Sequence, residues 1–309
     1  MSNKILFFGN ERLATGVDSK MPTLQALLNK GYEIPAVVIA QSQTAKSRHE
    51  RRLEVAEIAE KHRITLLSPT NLIEARDRLA GFGAEAAVLI AYGKIVPRAV
   101  LDLFPRGIIN IHPSLLPLHR GPSPIESSIL AGDREIGVSL MRLAAKMDIG
   151  PVYDQRSLSL QANETKQELA DRLSVLGAEL VLEYLPRVLD GSARPRPQDE
   201  AGATYDHLIT KADGQLDWAK PAIHLEREIR AYAGWPRSRA KLGSTEVIIT
   251  EAHAVPANDQ KLKPGDITAM KEGVIMVECG VGYLCIDRLK PIGKQEMAPQ
   301  AFLAGYKLN

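Results

Sequence analysis

Apolar residues in the first half of the chain come in short unbroken runs: "KILFFG", "AVVIA", "ITLL", "AAVLIAYG" and "GIINIH". Between them lie stretches where apolar positions recur every three or four residues, as in "MPTLQALLNKG", "HERRLEVAEIAEKH" and "NLIEARDRLAG". Strand-like runs alternating with helix-like stretches predict βαβ units and a mostly parallel sheet. The runs are apolar throughout, as strands covered on both faces should be. Gly31 and Gly81 fall where two of the helices need a left-handed residue to close.

A longer helical pattern runs from Glu164 to Leu189 and gives way to "DGSARPRPQDEAG", rich in Pro, Gly and charge and without apolar periodicity. Such a piece reads as an exposed linker. Beyond it, the helical "KPAIHLEREIRAYAG" precedes the short runs "EVIITEAHAV", "GDITAM", "GVIMVE" and "YLCIDRLK", which suggest a small β-barrel or sandwich. The expected fold is α/β, with a Rossmann-like, mostly parallel domain over 1–189, a linker over 190–207 and an OB-like β-barrel domain over 208–309.

Composition narrows the function. A chain of 309 residues exceeds one ordinary core, and 45% apolar with 25% charged residues is the balance of a folded protein. A net charge of +2 gives no bulk field to announce a nucleic-acid or membrane binder. Two cysteines without framework spacing, and no run of ~18 apolar residues, point to a cytoplasmic protein that neither crosses a membrane nor is secreted.

The familiar signatures are missing. "FFGNERLATG" after the first run lacks the G-x-G-x-x-G of a dinucleotide site, and no Walker loop, HExxH, CxxC or GxSxG occurs. Ligands of open parallel sheets sit beyond the carboxyl ends of the strands. There "GIINIH" delivers Asn110 and His112, two apart and so facing one side. Taken singly, Asn110 reads equally as a polar strand end bonding its own turn, and His112 as a ring packed before Pro113. Asp148, in "AAKMDIGPV" beside a glycine break, can return to the same edge. A carboxylate orienting an imidazole beside an amide donor is a proton-transfer and oxyanion set. His119 invites a zinc reading with His112 and Asp148, but the proline-kinked "PSLLPL" fixes no ligand spacing, and no metal is expected. Cys279 and Cys285 read as buried strand residues.

"NIHPSLLPLHRGPSPI" with a downstream "DIG" resembles the folate-dependent formyltransferases, whose signature is Asn-x-His, then Ser-Leu-Leu-Pro, then Arg-Gly. The similarity extends to "LIAYGKIVP", "ATYDHLITKADGQLDW", "AYAGWP" and "LKPIGKQEMAPQAFL". It implies that Asn110, His112 and Asp148 transfer a formyl group from 10-formyltetrahydrofolate. By the same analogy Ser114, Leu115, Leu116 and Pro117 contact folate, and Tyr92 and Gly93 line the pterin pocket. The implied acceptor is the α-amino group of methionine on initiator methionyl-tRNA, held partly by the second domain, in a monomeric enzyme. Amine attack on a formamide carbonyl makes a tetrahedral anion, and one donor such as Asn110 can be worth ~3 kcal/mol there. His112 would take the proton, and Asp148 would hold the charged ring and fix its tautomer.

Arg120 reads either as a phosphate contact or as a surface arginine. Lys46, Arg48, Arg51 and Arg52, in "KSRHERR", form a basic patch suited to tRNA, and a second patch runs from Lys220 to Lys241. Both also read as solvated helix faces. The chain departs from the family's usual Gly-Thr-Pro-x-Phe after the first strand, where Gly9 to Met21 carries extra residues, and its basic loop lacks the family's Pro and Gly. Three rivals stay open: a sugar-nucleotide amine as acceptor, water as acceptor, and a non-catalytic RNA-binding protein on the same fold.

Overall fold

The structure is a computed structural model that describes residues 3–40, 53–256, 263–269 and 273–308. The chain divides into two compact units. One comprises Met1–Ile125, Arg134–Leu160 and Glu168–His207; the other comprises Glu126–Asp133, Gln161–Gln167 and Leu208–Asn309.

In the first unit the apolar runs form five parallel strands: β1 (Ile5–Gly9), β2 (Ala36–Val38), β3 (Thr65–Leu67), β4 (Ala86–Ile90) and β5 (Gly107–His112). β6 (Glu135–Arg142) and β7 (Val152–Ser159) complete the sheet antiparallel, in the order β3-β2-β1-β4-β5-β6-β7. Every residue of β1, β4 and β5 is buried, so the unbroken hydrophobicity of those runs follows from two covered faces. Strand order reverses between β1 and β4, the position where such sheets open a ligand crevice. The strands converge tightly there: a Cβ on Gly9 (φ 108°) would stand 1.8 Å from the Ile90 carbonyl oxygen. Helices α1 (Pro22–Asn29), α2 (Glu54–Lys61), α3 (Arg76–Ala80), α4 (Arg98–Leu101), α5 (Pro124–Ala131) and α6 (Lys166–Leu189) follow in chain order.

Two local expectations change. Gly81 stays right-handed (φ −60°) and the left-handed residue is Gly83 (φ 65°), because α3 ends in a turn of its own. That helix also starts later than its apolar pattern. The Asn71 side chain accepts from Ile73 N (2.9 Å) and donates to Glu74 (3.0 Å), which offers the backbone a turn in place of a helix start.

The second unit is an OB-like half-barrel, a curled antiparallel sheet in the order β10-β11-β12-β9-β8. Its strands are β8 (Ser238–Leu242), β9 (Thr245–Val255), β10 (Ile267–Ala269), β11 (Ile275–Glu278) and β12 (Tyr283–Pro291), with helices α7 (Ala222–Ala231) and α8 (Pro299–Gly305). Leu225, Val247, Ile249, Leu284 and Phe302 are among its core residues. Glu126 and Lys166 also belong to this unit. The buried Lys166 ammonium meets Glu126 at 3.3 Å and donates to the Trp235 carbonyl at 2.8 Å. Among the described residues no helix is long and apolar enough to cross a membrane.

The atypical Gly9 to Met21 segment has a structural role. α1 has no side-chain cap from its own N-cap residue, Met21. Instead Glu11, 1% exposed, reaches forward to accept from Thr23 N (3.0 Å) and Leu24 N (2.8 Å). Burial pushes its carboxyl from 4.5 up to about 7, against the lowering effect of those two N–H groups. A raised carboxyl stabilises the fold below its unfolded value and loses that contribution as pH rises through its folded value. Stability is therefore expected to fall between pH ~5 and ~8 in the parent and to fall less in Glu11→Gln. Urea midpoints across that range test this; equal slopes in both proteins would mean that Glu11 stays ionised.

Candidate functional site

β5 carries Asn110 and His112 to the carboxyl edge of the sheet, beside β4 and β6; Asn110 stands opposite Leu89 and Met141, and His112 opposite Ser139. Both are buried, 6% and 5% exposed. Among the described residues the carboxamide of Asn110 has no hydrogen-bond partner. A donor left without a protein partner is available to a ligand.

The ring of His112 is held by a hydrogen bond at one nitrogen and faces a carboxylate with the other. Nε2 lies 2.8 Å from the carbonyl oxygen of His119, which only accepts, so Nε2 carries the proton in the neutral ring. Nδ1 then keeps the lone pair and faces Asp148 Oδ1 at 3.7 Å. The tautomer is thus set by a backbone carbonyl, whereas the sequence suggested that Asp148 would set it. Asp148 is within ion-pair reach of a proton gained at Nδ1. Its other oxygen accepts from Gly121 N at 2.9 Å.

Asp148 comes from the connection between β6 and β7, with φ 51°, and His119 has φ 55°. Two non-glycine residues in the left-handed region require surroundings that over-determine them. Residues 196–206, within the expected linker, supply that. They cluster with the first unit. Arg196 exchanges backbone hydrogen bonds with Val152. Gln198 gives its amide hydrogens to the carbonyls of Asp148 and Gly150, both at 2.7 Å. Thr204 accepts from His119 N through its hydroxyl (2.7 Å) and from Arg120 N through its carbonyl (2.9 Å). Asp206 N donates to the Arg120 carbonyl at 2.7 Å. Gly121 (φ 127°) has to be small, since a Cβ would come 2.8 Å from the Asp206 carbonyl oxygen.

Arg120 corrects an expectation. It is not free to meet a phosphate: the side chain is 0% exposed and all five N–H groups are engaged. Nε and Nη2 donate to Gln198 (3.0 and 2.8 Å), Nη1 and Nη2 to Glu200 (2.9 and 2.8 Å), and Nη1 to Tyr205 (2.7 Å). Its hydrogen bonds to Glu200 hold its pKa above the usual arginine value. His119, weighed as a zinc ligand, turns Nδ1 toward Asp206 (3.2 Å).

The turn after β5 is laced to the antiparallel edge. Ser114 donates to the Leu118 carbonyl (2.6 Å), Ser139 donates to the Ser114 carbonyl (2.6 Å) and accepts from Leu116 N (3.0 Å). Gln155 of β7 donates to the Leu116 carbonyl (2.8 Å). Leu115 and Pro117 are half-buried, and Leu116 is buried. Tyr92 differs from expectation: its ring is 3% exposed, in the core edge-on to Phe8 at 5.6 Å. Burial pushes its hydroxyl up to about 12 and leaves it with no partner. The exposed residue of that turn is Gly93 (φ 75°).

Lys46, Arg48, Arg51 and Arg52 lie outside the described residues. The second basic patch is thinner than its sequence implies. Lys220 pairs with Glu228 (2.6 Å), and Arg227, Arg230 and Arg237 donate to the carbonyls of Ala131, Glu164 and Gly234. Arg239 and Lys241, alternating on β8 with buried Ser238, Ala240 and Leu242, are left.

Two family models match the chain. The formyl transferase family model matches residues 13–185, and the formyl transferase C-terminal domain model matches 208–307. A methionyl-tRNA formyltransferase of Methylococcus capsulatus is 37% identical over 99% of this chain and 97% of its own. That of Granulibacter bethesdensis is 38% identical over 94% and 92%. Among solved structures, an N-formyltransferase of Helicobacter canadensis in complex with folinic acid and dTDP-3-aminofucose superposes with TM-score 0.66 at 18% identity, over 96% of this chain and 100% of that one. The methionyl-tRNA formyltransferase of Clostridium thermocellum gives 0.54 at 14% identity, over 94% and 98%. At these identities the structures share the fold.

The placement of Arg120 makes a stability prediction. Arg120→Lys keeps the charge but loses the planar fork, and is expected to cost about 3 kcal/mol in urea unfolding. A phosphate-binding surface arginine would tolerate the change within ~0.5 kcal/mol.

Proposed function

The chain belongs to the formyltransferase family, and from that premise we propose that it transfers the formyl group of 10-formyltetrahydrofolate to the α-amino group of methionine on initiator tRNA. The observation that carries the choice of acceptor is full-length identity of 35–38% to methionyl-tRNA formyltransferases, across both units. Residues 1–189 carry the chemistry and 208–309 help hold the tRNA, in a monomer working in the cytoplasm. Lys46, Arg48, Arg51 and Arg52, joined by Arg239 and Lys241, are the proposed phosphate contacts.

Asn110, buried and without a partner, donates to the oxygen that becomes anionic when the amine attacks. His112 receives the amine's proton at Nδ1, since Nε2 already carries one for His119. Asp148 then faces a cation across 3.7 Å. Folate suits the chain's own groups: the exposed Gly93 and the turn of Ser114 to Pro117 follow β4 and β5, whose ends lie side by side, and the Asn110 carboxamide there has no protein partner. Folate supplies the formyl carbon, and the transfer needs no metal.

The test offers 10-formyltetrahydrofolate with charged initiator tRNA, charged elongator tRNA and an amino-sugar nucleotide in parallel. Formylation of initiator methionyl-tRNA is expected, with kcat falling ~100-fold to 1,000-fold in Asn110→Ala and ~100-fold to 10,000-fold in His112→Ala. Transfer only to the amino sugar, formate release without an amine, or RNA binding without transfer would each replace this reading.

Gln198 is proposed as a positioning residue, because its amide ties Arg120 to the loop of Asp148. Gln198→Ala is expected to lower kcat ~10-fold with little change in the KM for folate, and to shift the acidic limb of the pH profile. An unchanged profile with lowered stability alone would leave Gln198 a purely structural residue.

A further inference from the structure

The outward face of the second unit's sheet holds a cluster that formyl transfer does not use. On β9 and β12, His253 stands directly opposite Cys285 in the antiparallel ladder, so both side chains leave the sheet on one face. The register shifts across Asp287, between Ile286 and Arg288, and again between Arg288 and Leu289. A bulge of this kind bends the strand and re-aims a side chain. Leu284 and Ile286 point into the core, and the bulge lets Leu289 do the same while Asp287 turns outward beside His253. His253 Nδ1 and Asp287 Oδ2 are 2.8 Å apart, and one ligating atom from each of the three residues lies within 4.8 Å of the others.

We propose that His253, Cys285 and Asp287 bind a soft divalent cation of the zinc class, with water as fourth ligand. A site that pairs thiolate with imidazole selects zinc over magnesium or calcium, which prefer all-oxygen ligands. Zinc bonds of about 2.0 to 2.3 Å in a tetrahedron place ligating atoms roughly 3.5 Å apart, within reach of small side-chain rotations here. The thiolate and carboxylate together balance a charge of two. The neighbouring cation does not compete, because Arg288 gives its guanidinium to Glu296 (2.7 Å). On binding, Cys285 releases its thiol proton to solvent as the sulfur–metal bond forms, and no electron is transferred. The cation ties β9 to β12 and so stabilises the second unit.

The test titrates the full-length, metal-stripped protein with Co²⁺ and follows its visible spectrum. One equivalent is expected to give tetrahedral bands and a thiolate-to-cobalt charge-transfer band, both bleached by Zn²⁺. Cys285→Ser should abolish the charge-transfer band, and His253→Asn, at an exposed position, should weaken affinity at least ~10-fold. Zn²⁺ should raise the melting temperature of the parent and leave that of Cys285→Ser unchanged, with formyl transfer equal in all three proteins. Absence of a stoichiometric band in the parent, its survival in Cys285→Ser, or undiminished affinity in His253→Asn would overturn the proposal.

Discussion

The five N–H donors of Arg120 are satisfied inside the protein, and the loops that carry His119 and Asp148 are built around that side chain. Past the end of β5 the chain has no ladder to follow, and its backbone groups must find partners one by one. Arg120 recruits Gln198, whose other end holds the carbonyls of Asp148 and Gly150. Its own backbone is held by Thr204 and Asp206. Residues 119 to 121 are therefore fixed from two sides. His119 and Asp148 sit in a backbone region that costs ~1 to 3 kcal/mol each, and only such a network keeps both there.

The chemistry inherits this rigidity. The His119 carbonyl decides which nitrogen of His112 is basic, so any slack at Arg120 would be felt at the imidazole three hydrogen bonds away, through Thr204 and His119. Asp148 spends one oxygen on Gly121 N and keeps the other for His112. Asn110 is treated in the opposite manner. Its carboxamide has no hydrogen-bond partner among the described residues, although the residue is buried. The fully buried strand around it fixes the group in place, and under the proposed function it is a donor that needs no reorganisation when negative charge develops.

Much of this was legible in the sequence, for identifiable reasons. β1, β4 and β5 announced themselves because burial on both faces leaves no polar position to interrupt the run. Asn110 and His112 were legible as a pair because strand alternation is independent of context. The partners of Arg120 were not. Gln198, Thr204 and Asp206 sit in a segment whose Pro, Gly and charged residues mimic a linker, and the partners of their side chains lie 48 to 87 positions away. Periodicity carries no trace of pairing over such separations. β8 was hidden by a different effect: Arg239 and Lys241 alternate outward from buried Ser238, Ala240 and Leu242, so its period of two read as a charge cluster. Glu11 was missed because a cap supplied from eleven residues before Pro22 has none of the local signature of an N-cap.

The same contrast between counted and available charge bears on how tRNA would be held. Six basic residues between Lys220 and Lys241 suggest a broad phosphate-binding face. Four of them are engaged with a carboxylate or with backbone carbonyls. Each cation that meets a phosphate adds about 0.7 to 0.9 to the magnitude of the slope of log affinity against log salt, so the two of β8 alone account for roughly 1.4 to 1.8. Such a term brings a polyanion close without choosing among polyanions. Discrimination between acceptors therefore has to rest on groups that read shape and hydrogen-bonding pattern at the reacting end, and there the protein offers one free carboxamide, one basic ring nitrogen and a rigid loop to hold them.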